Sequence, residues 1–129
     1  MRYTALVSLA AILTYVYFGL RVASAHTKFG VKLPAMTGNP DFERVHRAHV
    51  NMLEWMPVFL VPLWLCAFYL SDAGAAVLGV VWIVGRVIYF EGYSKAVEKR
   101  IPGFLTQALV CLLLIVGALV GIVMPMVAG

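Results

Sequence analysis

Residues 42–70 read FERVHRAHVNMLEWMPVFLVPLWLCAFYL and join a polar segment directly to an apolar one. The polar part carries glutamate, arginine, histidine and asparagine side chains, whereas residues 56–70 carry no charged group. The apolar run of residues 50–70 has the length that a membrane-spanning helix needs. Charged groups beside lipid are costly and tend to serve a function. The polar part of this helix is therefore the first place to look for activity.

Three further stretches are apolar over a comparable length: residues 3–25, 73–89 and 104–128. Of the 129 residues of the chain, 63% are hydrophobic and 12% are charged, and the mean hydropathy is +0.93. These values lie outside the range of soluble domains. A hydrocarbon core of about 30 Å requires about 20 residues per helix. The sequence therefore predicts an all-α membrane protein with one domain, residues 1–129, built as a bundle of four transmembrane helices.

The first apolar stretch has an alternative interpretation as a secretory signal peptide. Arg2 precedes it, and Ala23, Ser24 and Ala25 resemble the small residues of a cleavage site. The run is longer than the roughly 7 to 15 residues of a signal core, and Arg21 stands just before the supposed cut. We expect a transmembrane helix here.

The basic residues predict the orientation of the bundle. Of the Lys and Arg residues only Arg2 lies at the amino end, and the others cluster near the first and third connections. By the positive-inside rule these connections face the cytoplasm and both termini lie on the non-cytoplasmic side. We expect an integral multi-pass protein of a bacterial inner membrane or of the endoplasmic reticulum. The positive charge forms a rim at the membrane surface, so no nucleic-acid partner is expected.

Capping signals predict where the helices begin and end. Asn39 is a good N-cap, Pro40 suits the first helical position, and Asp41 and Glu43 place negative charge in the first turn. The third helix is expected to continue until Pro102. The predicted helices cover residues 3–25, 40–70, 73–100 and 103–128.

Helical geometry sorts the polar residues into two faces. At about 100° per residue, one face of the second helix carries four polar side chains within roughly 80°, those of Arg44, Arg47, Asn51 and Glu54. Glu43 is expected to pair with Arg47, and the histidines point to the other side. A face of the third helix carries Arg86, Tyr89, Tyr93 and Arg100 within roughly 60°. Because the two helices are antiparallel, the two faces lie at similar depth and can meet.

These side chains are suited to one class of ligand. Arginines bind carboxylates, a glutamate binds a cation, and amide and phenol groups supply hydrogen bonds. Together they suit a zwitterionic ligand with several carboxylates. The alternative is a salt-bridged helix pair with snorkelling arginines and interfacial tyrosines. The spacing of His46 and His49, with His26 more distant, is weak support for a metal site, and no metal is expected.

Two motifs resemble those of a known family. FERVHRAHVNMLEWMPVFL, residues 42–60, and RVIYFEGYSKAVEKRIPG, residues 86–103, resemble the second-helix and third-helix signatures of the MAPEG family, the membrane-associated proteins in eicosanoid and glutathione metabolism. The resemblance is greatest to the branch of microsomal glutathione transferases and leukotriene C synthase. The order of the motifs, the four spans and the chain length also agree, so the resemblance covers nearly the whole chain.

The resemblance implies a homotrimer that binds glutathione at each subunit interface on the cytoplasmic side. The matching positions imply glutathione contacts from both helices, namely Arg47, Asn51, Glu54, Tyr89, Tyr93 and Arg100. Arg100 matches the arginine that stabilises the glutathione thiolate and is the implied catalytic residue. In such a trimer we expect the third-helix face to reach the ligand across a subunit boundary.

Some positions depart from the family pattern. His26 and Thr27 stand where the leukotriene-forming enzyme has arginines, His49 replaces a glutamine and Trp55 replaces a tyrosine. His26 and His49 remain candidate glutathione contacts, but a narrow leukotriene specificity cannot be inferred.

The implied activity is that of a membrane-embedded glutathione transferase acting on lipophilic electrophiles from the bilayer, and reduction of lipid hydroperoxides is a second reaction of this kind. Two other classes of protein are alternatives. A non-catalytic lipid-binding member of the family would lack the equivalents of Arg47 and Glu54. A small multidrug-type transporter would need a carboxylate in helix one, which has none.

Overall fold

Four long helices and one short 3₁₀ turn make up the computed structural model, which describes residues 1–129. The helices are α1 (Arg2–Lys28), α2 (Pro40–Tyr69), α3 (Asp72–Lys95) and α4 (Ile101–Ala128), and the 3₁₀ turn is Val97–Arg100. Each of the four is long and apolar enough to cross a membrane. The all-α class and the four-helix bundle predicted from the sequence are confirmed.

Contacts between side chains show how the helices are arranged. Thr4 at the start of α1 donates its backbone N–H and its hydroxyl to the Asp72 carboxylate at the start of α3, at 3.0 and 2.6 Å. Near the other end, Arg21 of α1 forms a 2.7 Å ion pair with Glu91 of α3. These two contacts fix α1 and α3 side by side in the same direction, with α2 and α4 running the opposite way.

Stacked aromatic rings from different helices pack in the core. Phe59 of α2 lies parallel to Trp82 of α3 with ring centroids 3.8 Å apart, and both side chains are fully buried. The Trp82 indole donates to Gln107 of α4 at 3.1 Å, so its polar atom is satisfied inside the bundle. Phe18 stacks on Phe90 at 3.9 Å and joins α1 to the same core. Large apolar side chains remain exposed on the outer faces, as expected for a bundle in lipid.

The start of α2 agrees with the sequence prediction. The Asn39 side chain accepts a 3.1 Å hydrogen bond from the backbone N–H of Phe42, and Pro40 occupies the first turn. This cap satisfies one of the free donors at the helix start and fixes where the polar part of α2 begins.

The predicted end of the third helix is wrong. Instead of running to residue 100, α3 ends at Lys95, because Ala96 adopts an extended conformation with φ −161° and ψ 147°. The chain then folds back as the 3₁₀ turn, which lies so close to α3 that a Cβ on Gly92 would collide with the Lys99 carbonyl. The missing side chain of Gly92 therefore lets the turn pack against α3.

Candidate functional site

A polar cavity lies at the end of the bundle where α2 begins, α3 ends and α4 begins. Its volume is about 260 Å³, and its lining residues come from α2, α3, the 3₁₀ turn and α4 of a single chain: Arg47, Asn51, Tyr89, Tyr93, Arg100, Ile101 and Phe104. The first five are residues that the sequence singled out. The two predicted polar faces thus meet within one chain, so the second face does not need a subunit boundary to reach the first.

On the α2 wall, Arg47 forms a 3.1 Å ion pair with Glu54. Both side chains are about half exposed, at 49% and 52%. Since residues seven apart are two turns apart on a helix, the pair runs along the α2 surface. Glu54 does not itself line the cavity but holds the guanidinium of a residue that does.

Two details of the predicted α2 face are wrong. Glu43 does not pair with Arg47, because its carboxylate accepts from the backbone N–H of Gly38 at 3.3 Å in the preceding loop. Arg44 forms an ion pair with Asp41 one turn earlier and does not line the cavity. Glu43 and Arg44 thus bind partners close to the start of α2. Only Arg47 and Asn51 of α2 line the cavity.

On the α3 wall, the rings of Tyr89 and Tyr93 meet edge to face with centroids 5.6 Å apart. Arg86 lies on α3 one turn before Tyr89 and is only 1% exposed. Its guanidinium donates to the Asn51 side-chain oxygen at 3.0 Å and lies 4.3 Å from the centre of the Tyr89 ring. The sequence placed Arg86 on this polar face but gave no sign that it supports Asn51 from the neighbouring helix.

Arg100 is the last residue of the 3₁₀ turn and is oriented by its own turn. Its guanidinium donates to the Val97 carbonyl at 2.7 Å and lies 5.9 Å from the centre of the Tyr93 ring. Helical periodicity predicts Arg100 on the face of a continuous helix, but α3 ends before it. Arg100 reaches the cavity because the turn folds back.

The start of α4 supplies an apolar part of the wall that the sequence analysis missed. Ile101 and Phe104 line the cavity, and Phe104 packs edge-on against Trp55 of α2 with centroids 5.6 Å apart. Gly103 lies between them and lets α4 touch the α3 backbone, because a Cβ there would come within 2.6 Å of the Gly85 carbonyl. Ile101 and Phe104 lie at the start of the apolar run of α4. In such a run, hydrophobic periodicity does not distinguish a residue that lines a cavity from one that faces lipid.

The two histidines predicted as ligand contacts lie outside this cavity. His26 of α1 bonds through Nδ1 to the Val31 carbonyl at 2.8 Å and packs on the Phe42 ring. His49 of α2 stacks on Tyr15 of α1 with centroids 4.4 Å apart. No residue of α1 lines the cavity, so within one chain both histidines are placed elsewhere.

A second, more open cavity of about 570 Å³ adjoins the first. It shares Arg47 and Tyr93 with the smaller cavity and extends over the α1–α2 loop, the start of α2 and the 3₁₀ turn. Its other lining residues are Met36, Thr37, Pro40, Glu43, Arg44, His46 and Val97. The two cavities therefore lie side by side at this end of the bundle.

The chemistry of the smaller cavity is dominated by hydrogen-bond donors. Two guanidinium groups, two phenols and one amide line it, and no carboxylate does. Such a wall favours anionic ligands, carboxylates above all.

Comparison with known proteins gives the family. The model of the MAPEG family matches residues 4–120, which is most of the chain. The chain belongs to the MAPEG family. With four helices able to span a membrane, this MAPEG protein is an integral membrane protein.

Named relatives lie in one branch of the MAPEG family. The chain is 45% identical to human microsomal glutathione S-transferase 2 over 116 residues, which cover 89% of this chain and 79% of that protein. It is 37% identical to bovine leukotriene C4 synthase over 116 residues, covering 90% and 77%. It is also 46% identical over 118 residues to an uncharacterised Synechocystis protein, covering 92% and 86%. These matches confirm the branch that the two sequence motifs indicated.

Proposed function

We propose that this MAPEG protein is a glutathione transferase that conjugates the glutathione thiolate to lipophilic electrophiles from the bilayer. The observation that carries the proposal is the single cavity into which Arg47, Asn51, Tyr89, Tyr93 and Arg100 converge. The similarity to microsomal glutathione S-transferase 2 and leukotriene C4 synthase supports the choice of glutathione as co-substrate.

The ion pair at the rim suits the zwitterionic end of glutathione. A free α-amino acid group carries a carboxylate next to an ammonium, and Arg47 and Glu54 present the complementary charges 3.1 Å apart. When the ligand binds, Arg47 would take the carboxylate and Glu54 would accept from the ammonium. The exchange replaces one ion pair by two, and both side chains are exposed enough to reorient. Asn51, Tyr89 and Tyr93 would hydrogen-bond the remaining peptide and carboxylate oxygens.

Arg100 is the residue assigned to the thiolate. A free thiol with a pKa of about 8.5 is only a few per cent ionised at pH 7, and the thiolate is the nucleophile. Lowering that pKa to about 7 requires about 2 kcal/mol, because each unit corresponds to about 1.36 kcal/mol. A permanently charged guanidinium at the cavity can supply this stabilisation. Arg100 is also the N-cap of α4 and no side chain caps that helix, so the positive end of the helix dipole adds to it.

The apolar part of the wall suits the second substrate. Ile101 and Phe104 lie next to Arg100 in the lining, and Trp55 supports Phe104 from α2. A lipophilic electrophile entering from the bilayer would contact these side chains while the thiolate attacks its electrophilic carbon. A C–S bond forms, and either a leaving group departs with the electron pair or the resulting carbanion takes up a proton. Reduction of a lipid hydroperoxide is a second proposed reaction: the same thiolate takes the distal oxygen and releases the alcohol, and a second glutathione then gives the disulfide and water.

The assembly and its orientation are part of the same proposal. The cavity lies at the end of the bundle that carries the basic connections, and the positive-inside rule places that end in the cytoplasm. We propose a homotrimer, as the family resemblance implies. In that assembly His26 and His49 could meet a ligand only in the cavity of a neighbouring subunit.

Stopped-flow absorbance of the glutathione thiolate with the purified protein tests the proposal directly. We expect a rapid thiolate signal at pH 7 that saturates with glutathione, followed by its decay when an apolar electrophile is added. A protein that binds glutathione without a thiolate signal would contradict the transferase. No glutathione binding would favour the lipid-binding class.

A further inference from the structure

Arg86 is a buried charge without an acidic partner. It lies in the middle part of α3, it is 1% exposed, and none of the three ion pairs of the chain includes it. Its Nε atom has no hydrogen-bond partner. Burying a guanidinium without a carboxylate is unfavourable, so a residue of this kind is expected to serve a purpose other than stability.

Two contacts of Arg86 involve residues of the cavity wall, and a third, looser one places its guanidinium carbon 5.9 Å from the centre of the Trp82 ring. Nη1 donates to Oδ1 of Asn51 on α2 at 3.0 Å, and the guanidinium carbon lies 4.3 Å from the ring centre of Tyr89 on α3. Asn51 and Tyr89 belong to different helices and line the same cavity. Arg86 therefore connects the two helical walls from behind the cavity.

The chemistry of the guanidinium fixes which way the Asn51 amide points. A guanidinium has donors only, so the amide atom facing it must be the oxygen. The Nδ2 atom then lies on the other side, and no hydrogen bond within the chain uses it. The buried side-chain atoms that lack a partner are Arg44 Nε, His46 Nδ1, Arg86 Nε and Gln107 Nε2. Asn51 Nδ2 is not among them, so it is not buried, and Asn51 itself lines the cavity.

We infer that Arg86 is a positioning residue that locks Asn51 as a hydrogen-bond donor toward the cavity. The Asn51 amide then donates to an oxygen acceptor of the ligand, either a peptide carbonyl or a carboxylate. An N–H or ammonium group of the ligand is disfavoured at this position. The inference rests on the proposed function for the identity of the ligand as glutathione. The orientation of Asn51 itself rests only on the contacts of Arg86.

A double-mutant cycle measures whether Arg86 acts through Asn51. The dissociation constant of glutathione is determined by calorimetry for the purified wild type, Arg86→Met, Asn51→Ala and the double variant. We expect each single change to weaken binding about tenfold and the double variant to bind no more weakly than the weaker single variant, because both remove the same donor. Arg86→Lys, which keeps a donor and the charge, should retain most of the affinity. Additive losses, or unchanged affinity in Arg86→Met, would overturn the inference.

Arg21→Met is the matched control. Arg21 is also an arginine of a transmembrane helix, but it pairs with Glu91 at 2.7 Å and does not line the cavity. Its replacement should leave the glutathione dissociation constant unchanged. A loss equal to that of Arg86→Met would show a general effect of removing charge and would contradict the specific role.

A readout without ligand separates this inference from the proposed function. The side-chain amide signals of Asn51 are identified in a nitrogen-15 spectrum by their disappearance in Asn51→Ala. In Arg86→Met they should move and narrow as the amide becomes mobile, and in Arg86→Lys they should stay near the wild-type position. Unchanged signals in Arg86→Met would refute the positioning role, whether or not glutathione binds.

One further variant keeps the test decisive if Arg86→Met does not fold. Asn51→Asp leaves Arg86 with a stronger partner and presents an oxygen to the cavity in place of the amide donor. We expect glutathione to bind more weakly to Asn51→Asp than to Asn51→Ala. Wild-type affinity in Asn51→Asp would overturn the assignment of a donor at this position.

Discussion

Arg47 and Glu54 form a 3.1 Å ion pair along the surface of α2, and Arg47 lines both the small polar cavity and its larger neighbour. Arg47 thus lies where the two cavities adjoin. Because both side chains are about half exposed, the pair contributes little to folding and is available for exchange with a zwitterion.

Replacing Arg47 by alanine should lower the affinity for glutathione about tenfold with a smaller effect on turnover. The lost interaction is a charge-assisted hydrogen bond to a carboxylate, moderated by solvent. Calorimetric titration and steady-state kinetics of the same preparation measure the two effects. Arg21→Ala, which breaks the similarly exposed Arg21–Glu91 pair, is the control and should leave both values unchanged.

Replacing Glu54 by glutamine should weaken glutathione binding and also change its selectivity. The amide keeps the shape but loses the charge that accepts from an ammonium, so an N-acetylated glutathione should lose less affinity than glutathione itself. Competition binding with both compounds measures the difference. Equal losses for the two compounds would place the ammonium elsewhere in the cavity.

Replacing Arg100 by alanine should reduce turnover about 15-fold at pH 7, the factor by which the ionised fraction of the thiol falls when its pKa rises from about 7 to about 8.5. Glutathione affinity should change far less, since Arg47 and Asn51 remain. The thiolate absorbance at pH 7 should disappear and return at higher pH, because without the guanidinium the pKa of the bound thiol stays near its ordinary value. Full conjugation activity in Arg100→Ala would contradict the role of Arg100 in stabilising the thiolate.

Replacing Gly103 by alanine should destabilise the bundle and damage the cavity together. The added Cβ would come within 2.6 Å of the Gly85 carbonyl oxygen and would also collide with the backbone of Tyr89. Backbone atoms inside a packed helix cannot shift without a large cost in stability. Gly117→Ala is a suitable comparison, because its nearest neighbours are the side chains of Cys66 and Leu70 at 3.0 and 3.4 Å. Thermal unfolding in detergent should show a larger decrease for Gly103→Ala. Equal decreases would argue against the close approach.

Replacing Asp72 by alanine should lower the unfolding temperature without affecting glutathione binding. Its carboxylate accepts from the backbone N–H groups of Tyr3 and Thr4 and from the Thr4 hydroxyl, so it caps the start of α1 from α3. Thr4→Val removes only the hydroxyl bond and should have a smaller effect. Thermal unfolding at constant detergent concentration compares the three proteins.

The sequence by itself determined the number and type of the elements and most of the candidate residues. Four apolar runs of membrane length predict four helices, and the Asn39 cap places the start of α2, because both signals are local and depend only on nearby residues. The helical period also separated Arg47 and Asn51 from His49, which stacks on Tyr15 of α1 in the structure.

Only the tertiary structure decided how the cavity is assembled. The break at Ala96 and the return of the chain against Gly92 bring Arg100 to the wall, and the approach of α4 at Gly103 adds Ile101 and Phe104. Arg86 contacts Asn51 only because the packing of α2 against α3 brings these two positions to the same level of the bundle. These features depend on backbone contacts between residues far apart in sequence, and hydrophobic periodicity, which reports one helix at a time, carries no information about them.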